Sequence, residues 1–117
     1  MGEKQIPISS PFVVVLDETN FDSEIGSGVV LVDFWASWCG PCRMQGPIVE
    51  QVGKQVQGKA KVAKLDVDAA PQVARKFKIR SIPTLIVFKD GKPRDQFVGV
   101  TKAGTLLSAV TSALDSE

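Results

Sequence analysis

The sequence predicts an α/β fold in which helices flank a central mixed β-sheet. Short apolar runs alternate with segments of helical periodicity, which is typical of strands joined by helices. A β-rich run at Thr84–Phe88, followed by the turn Lys89-Asp90-Gly91-Lys92, predicts an antiparallel hairpin. An apolar stripe at helical spacing closes the chain. With 117 residues, the chain is long enough for one domain with a real core and too short for two.

The first two strands are predicted from apolar runs near the N-terminal end. Phe12–Leu16 is the shorter run, and Val29–Trp35 is apolar except for Asp33. Between them, Thr19–Ile25 is predicted to be a short helix with Thr19 as its N-cap. Glycines end this helix before the second strand begins.

A long helix is predicted to follow the second strand, from Cys39 to about Gln57. Ile48, Val52 and Val56 recur on one face of it. This face is expected to pack against the sheet.

The remaining elements complete the alternation. Ala60–Val67 alternates as a third strand, and Pro71–Phe77 is predicted to be a short helix with its proline in the first turn. The return strand of the hairpin is expected to begin at Gln96–Val98. Thr101 is expected to cap the last helix. The apolar stripe of that helix is Leu106, Leu107, Val110 and Leu114.

Composition argues against several classes of function. Fourteen basic and thirteen acidic residues give a net charge of +1, and no basic cluster indicates a nucleic-acid partner. No apolar run approaches the roughly 20 residues that cross a membrane. We expect a cytoplasmic monomer, with a removed targeting peptide left open as an alternative. Residues 1–11 are expected to be an N-terminal extension, and residues 12–117 a single domain.

The only two cysteines, Cys39 and Cys42, lie where the second strand gives way to the long helix. Free backbone N–H groups and the helix dipole favour a thiolate there, so Cys39 is expected to have the lower thiol pKa and to be the nucleophile. Cys42 lies one turn further in and suits a more shielded, resolving thiol. Gly40 leaves the approach of a substrate disulfide open, and the first helical turn tolerates Pro41. The pattern indicates a dithiol–disulfide redox centre.

Other uses of the two cysteines fit less well. A structural zinc site usually needs four Cys or His ligands, and this chain has two cysteines and no histidine. A purely structural disulfide closing about 4 residues would contribute only about 2 kcal/mol. Gly26-Ser27-Gly28 starts like a dinucleotide-binding motif, but it lacks the third glycine and precedes a strand instead of following one. We therefore expect neither a metal nor a cofactor.

Several segments resemble those of the thioredoxin family. Val32–Cys42 resembles its active-site segment, Ile82-Pro83-Thr84 its cis-proline loop, Lys89-Asp90-Gly91 its hairpin turn and Phe97-Val98-Gly99 a strand end with the following glycine. Order and spacing match across Phe12–Leu114. The resemblance implies the thioredoxin fold, reduction of disulfides in protein substrates, and a thioredoxin reductase as electron donor.

The resemblance also implies roles for particular residues. Asp33 matches a buried acid that exchanges a proton with Cys42, and Lys64 matches a lysine near that acid. From the pattern alone, Asp33 is equally well an acid satisfied by backbone N–H groups, and Lys64 a lysine on a solvated face. Pro83 is expected to be cis, and Trp35 to lie in the core with one edge toward the dithiol. The expected substrate-binding surface is Trp38, Gly40, Pro41, Ile82, Pro83, Gly99 and Val100.

Two alternative functions remain open at this point. A disulfide oxidase or isomerase of the same fold usually carries histidine between its cysteines, whereas Gly40-Pro41 favours the reducing direction. A binding subunit with an incidental dithiol is the second alternative. Function that survives loss of both cysteines would indicate the latter.

Overall fold

The structure, a computed structural model, describes residues 10–116. Its strands are β1 (Val14–Leu16), β2 (Val29–Trp35), β3 (Lys61–Asp66), β4 (Thr84–Lys89) and β5 (Lys92–Val98). Its helices are α1 (Phe21–Ile25), α2 (Gly40–Gln55), α3 (Pro71–Lys76) and α4 (Ala103–Asp115). The predicted order of elements is confirmed.

The five strands form one mixed sheet in the order β1-β3-β2-β4-β5. β3 is parallel to both β1 and β2, whereas β4 is antiparallel to β2 and to β5. The β4–β5 hairpin turns at Asp90 and Gly91, with φ of 50° and 84°. Two successive positive φ values define the turn that Asp-Gly pairs favour, so the predicted hairpin is confirmed.

Both faces of β2 are buried, and its side chains alternate between two cores. Val29 and Leu31 pack with α2 and α4, while Val30, Val32 and Phe34 pack with α1 and α3. This alternation is the period of two that any strand imposes. A strand covered on both sides reads as a continuous apolar run, which is why β2 could be bounded from the sequence.

Two predicted helix caps are wrong, because nearby side chains make other hydrogen bonds. Helix α1 has Asn20 as its N-cap, and Thr19 instead donates its backbone N–H and hydroxyl to the Asp17 carboxylate at 2.8 and 2.7 Å. Helix α4 has Lys102 as its N-cap, and the Thr101 hydroxyl donates to Gly99 O at 2.9 Å. Thr19 is thus bonded to a neighbouring carboxylate and the Thr101 hydroxyl to a neighbouring carbonyl, local partners that compete with capping.

The return strand β5 begins at Lys92, earlier than expected. Lys92 pairs with Lys89 directly across the turn, so the ladder starts at once. The sequence Lys92-Pro93-Arg94-Asp95 has no apolar alternation because this half of β5 is exposed at the edge of the sheet. Pro93 fits an edge strand, where a missing N–H costs little.

The predicted N-terminal extension lies largely outside the described residues. Of residues 1–11 the structure describes Ser10 and Pro11, and Ser10 Oγ donates to Glu50 Oε1 of α2 at 2.7 Å. Among residues 10–116, no helix is long and apolar enough to cross a membrane.

Replacing Gly53 with alanine tests the packing of α2 against the N-terminal segment. A Cβ at Gly53 would overlap the carbonyl oxygen of Phe12, a backbone atom that cannot rotate away. We expect Gly53→Ala to lower the free energy of unfolding by about 1–3 kcal/mol in urea denaturation. Gly104→Ala in α4 is the control, since its Cβ would meet no atom within 4 Å. It should match or slightly exceed wild type, and equal stability of the two variants would contradict the close contact.

Candidate active site

The two cysteines form a disulfide at the N-terminus of α2. Cys39 is the N-cap of the helix, and the two Cα atoms are 5.3 Å apart, within the usual range for a disulfide. The backbone N–H of Cys42 donates to Cys39 Sγ at 3.2 Å. A free N–H of the first helical turn therefore points at the sulfur of Cys39, where it would stabilise a thiolate.

The two cysteine residues are not distinguished by their overall exposure in the oxidised state. Cys39 is 4% exposed and Cys42 is 5% exposed, and the greater shielding of the Cys42 thiol stays a prediction. What separates them is position, because only Cys39 accepts the N–H from the helix.

The Ile82–Pro83 peptide bond is cis, as the resemblance implied, and its loop faces the disulfide. Cys39 Sγ lies 3.7 Å from Ile82 O. The N–H of Gly99 donates to Pro83 O at 2.8 Å, which joins the end of β5 to this loop. The structure thus brings Ile82, Pro83 and Gly99 together at the dithiol.

The exposed surface near the dithiol is apolar. Trp38 is 67% exposed, and Gly40 and Pro41, which follow it closely in the chain, are exposed as well. Val100, which follows Gly99, is 43% exposed. Two further exposed apolar residues, Met44 and Val98, were missed. Val98 adjoins Gly99 and Met44 lies three residues after Pro41, and that proximity in the chain was the available signal.

Trp38 is held by a contact that the sequence did not suggest. Its Nε1 donates to Asp68 Oδ2 at 2.8 Å. Asp68 lies thirty residues away in the turn after β3, and its own N–H donates to Asp66 Oδ1 at 2.9 Å. The indole is therefore oriented on the surface, although most of it is exposed.

Asp33 is a buried acid with an unsatisfied oxygen. It is 3% exposed, and its Oδ1 has no hydrogen-bond partner among the described residues. The alternative of an acid satisfied by backbone N–H groups is therefore not supported for this oxygen. Burial raises the pKa of Asp33 to about 7, against a smaller lowering by the charge of Lys64. A cavity of about 120 Å³ adjoins Asp33, lined also by Val13, Gly46, Val49, Glu50 and Lys64.

Lys64 is half-buried and pairs with Asp33 in the register between β2 and β3. Its Nζ lies 5.6 Å from the ring centroid of Trp35, within cation–π distance. Trp35 is half-buried, less than a core residue, and packs against a small cluster that contains both cysteines. Lys64 is therefore the neighbour of both Asp33 and Trp35, and Trp35 contacts the cluster of the dithiol.

Comparisons with known proteins identify the family of this chain. The thioredoxin family model matches residues 12–112. This chain belongs to the thioredoxin family. A protein named Thioredoxin from Staphylococcus saprophyticus is 50% identical over 102 residues, covering 87% of this chain and 98% of its own. Proteins of the same name from Staphylococcus haemolyticus and Staphylococcus aureus are 56% and 54% identical over 87 residues, each covering 74% of this chain and 84% of its own.

Membership of the thioredoxin family gives the activity class. Thioredoxins are protein-disulfide oxidoreductases that work through a reversible cysteine pair, and their usual role is as reductases. The Cys39–Cys42 disulfide at the start of α2 is that pair in this chain. Within residues 10–116, no group of three or more His, Cys, Asp or Glu side chains is arranged to hold a metal ion.

The raised pKa of Asp33 predicts a pH-dependent stability. Between its ordinary value of 3.8 and about 7, the folded protein keeps a proton on Asp33 that the unfolded chain has lost. The contribution of Asp33 to the free energy of unfolding is therefore complete below pH 3.8. It is lost as the pH rises from 3.8 to about 7, by up to about 4 kcal/mol. Asp33→Asn does not titrate. In urea denaturation, the free energy of unfolding of Asp33→Asn should exceed that of wild type by more near pH 8 than near pH 5.

Asp17 is a control, because its pKa is shifted in the opposite direction to that of Asp33. The Thr19 hydroxyl and the N–H groups of Asn20 and Thr19 lower the pKa of this exposed carboxyl. Its contribution is present above the ordinary value and is lost as pH falls. Asp17→Asn should therefore be less stable than wild type at neutral pH, with a gap that closes in acid. A pH-independent gap for Asp33→Asn would contradict its buried, protonated state.

Proposed function

We propose that this chain reduces disulfides in other proteins, with Cys39 as the attacking thiolate and Cys42 as the resolving thiol. The observation that carries the assignment is the N–H of Cys42, which points at Cys39 Sγ at the helix N-terminus. The same N–H would favour the anionic form of Cys39 once the disulfide is reduced. Gly40 and Pro41 between the cysteines support the reducing direction.

The proposed reaction transfers two electrons in two exchanges. The Cys39 thiolate attacks one sulfur of the target disulfide, that bond breaks, and the other target sulfur leaves as a thiolate. Cys42 then loses its proton and attacks Cys39 Sγ. The mixed disulfide breaks, the second target sulfur leaves, and the Cys39–Cys42 disulfide forms. The target gains two electrons and the protein loses them.

We assign Asp33 as the acceptor of the Cys42 proton. A general base works best when its pKa is near the working pH, and burial places the pKa of Asp33 at about 7. Its unpartnered Oδ1 has a free lone pair for this purpose. Lys64 is assigned an electrostatic role, since its charge opposes the effect of burial and keeps Asp33 able to lose its proton again.

Protein substrates are proposed to bind across the apolar surface around the dithiol. Its exposed or half-buried members are Trp38, Gly40, Pro41, Ile82, Gly99 and Val100, and the buried Pro83 lies in the same loop as Ile82. Exposed apolar groups such as the Trp38 indole gain free energy when a partner covers them. Ile82 adds backbone groups beside Cys39 with which an extended substrate segment can pair.

The oxidised form needs a reductant to return to the dithiol. We propose a thioredoxin reductase as the electron donor, so that the chain carries electrons from that enzyme to its targets and contributes to the redox homeostasis of the cell. We further propose that it acts as a cytoplasmic monomer, with residues 12–117 as the domain and residues 1–11 as an extension. The relatives named Thioredoxin support the choice of electron donor.

Separate serine variants test the roles of the two cysteines. Cys39→Ser should abolish the reduction of insulin, because no nucleophile remains at the helix N-terminus. Cys42→Ser should accumulate a covalent mixed disulfide with the substrate, visible on a non-reducing gel and released by dithiothreitol. A mixed disulfide formed by Cys39→Ser, with Cys42→Ser inert, would reverse the assignment.

Asp33→Asn tests the proton acceptor. An amide fills the same space but cannot take the thiol proton, so the decay of the mixed disulfide should slow by about tenfold or more. The first attack should stay within about twofold of wild type, because it does not use Asp33. Acid-quenched single turnovers followed by mass spectrometry give both rates. Asp95→Asn, on the exposed strand β5, is the matched control and should leave both unchanged; equal rates in Asp33→Asn would refute the role.

A further inference from the structure

Gln45 is a fully buried polar side chain, 0% exposed, that the proposed mechanism does not use. It lies on α2, one turn after Cys42. Its Oε1 accepts the N–H of Thr101 at 2.7 Å, and its Nε2 donates to Thr101 O at 3.0 Å. Both ends of the amide are therefore bonded to the backbone of one residue in the loop between β5 and α4.

Thr101 is in turn bonded to the residues that face the dithiol. Its hydroxyl donates to Gly99 O at 2.9 Å, and the N–H of Gly99 donates to Pro83 O at 2.8 Å. Ile82 O lies 3.7 Å from Cys39 Sγ. The contacts therefore run from the active-site helix to the β5–α4 loop, on to the cis-proline loop, and back to the disulfide.

A glutamine is unusual at a fully buried position, where apolar side chains predominate. An apolar side chain of the same size would fill the same space but would leave the N–H and C=O of Thr101 without these partners. A buried amide is tolerated only because both of its groups are bonded, and the pair of bonds fixes the loop in distance and in direction. Gly99 adds to this, since its φ of 92° is open mainly to glycine and sets the path of the chain into Val100.

We propose that Gln45 is a positioning residue that orients Gly99 and Val100 relative to the dithiol, and thereby sets the preference for protein disulfides over small ones. The proposal rests on the proposed function, because it concerns the surface on which protein substrates bind. A protein substrate must contact Val100 and the cis-proline loop while its disulfide reaches Cys39. A small disulfide needs only to reach Cys39 Sγ.

The test compares two substrates of the reduced protein. Gln45→Met keeps the length and apolar volume of the side chain and removes both hydrogen bonds. Its second-order rate constant for insulin should fall by about fivefold or more, while that for hydroxyethyl disulfide should stay within about twofold. Val62→Ala is the control, because it removes buried volume from the core under α2 and α4 at a residue of β3, outside the β5–α4 loop. It should lower stability and leave the ratio of the two rate constants at the wild-type value.

Amide hydrogen exchange tests the anchor directly. The Thr101 N–H donates to Gln45 Oε1, so it should be protected in wild type and should exchange about tenfold faster or more in Gln45→Met. The N–H of Leu106, which donates to Lys102 O within the start of α4, should not change. Fast exchange of Thr101 in wild type overturns the proposal whether or not the variant folds.

The outcomes separate this proposal from the proposed function. Wild-type protein that fails to reduce insulin contradicts the function itself. Active wild type with an unchanged substrate ratio in Gln45→Met leaves the function intact and overturns the role of Gln45. A fall in both rate constants together also overturns it, because that result indicates damage to the dithiol and not to the docking surface.

Discussion

The junction between β2 and α2 is the constraint on which the rest of the structure depends. β2 is the central strand of the sheet, with β3 on one side and β4 on the other, and its residues from Val29 to Phe34 are buried. A strand held in this way cannot shift without moving two neighbours and two cores. The first turn of α2 is therefore presented at a fixed place, and Cys39 receives its N–H there. The same register puts Asp33 opposite Lys64, so the dithiol and the buried acid are positioned by one strand.

Much of this architecture could be predicted because its signals are local. The period of two, the Asp-Gly turn and the spacing of the cysteines each depend on residues that are neighbours in the chain. The caps were wrong for Thr19 and Thr101 because several polar groups in one turn compete for the same N–H and C=O groups, and a pattern does not rank them. For Asp33 the pattern left two interpretations open, a proton-exchanging acid or one satisfied by backbone N–H groups. Burial of a side chain depends on what the folded chain places over it.

Two hydrogen bonds between distant segments were not expected from the sequence, whereas the approach of the cis-proline loop to the dithiol was implied by the family resemblance. Gln45 meets Thr101 fifty-six residues away, and Trp38 meets Asp68 thirty residues away. A glutamine in a helix or an aspartate in a turn normally indicates a solvated position, so neither stands out until its partner is known. The site is thus assembled from separate segments that come together only in the folded chain, held by hydrogen bonds between loops as much as by the core. The cysteine pair and the cis-proline loop could be predicted, and the hydrogen bonds of Gln45 and Trp38 could not.

The edge strand β5 affects how the protein behaves in a crowded solution. β5 presents Lys92, Arg94 and Asp95 with Pro93 among them, and its pairing with β4 shifts between Val87 and Phe88. Charges, a proline and an irregular ladder each discourage a second strand from adding to an open edge, which is the usual route to fibrils. Contact with other extended chains is therefore disfavoured along β5 and stays open at the cis-proline loop, where Ile82 O lies beside Cys39.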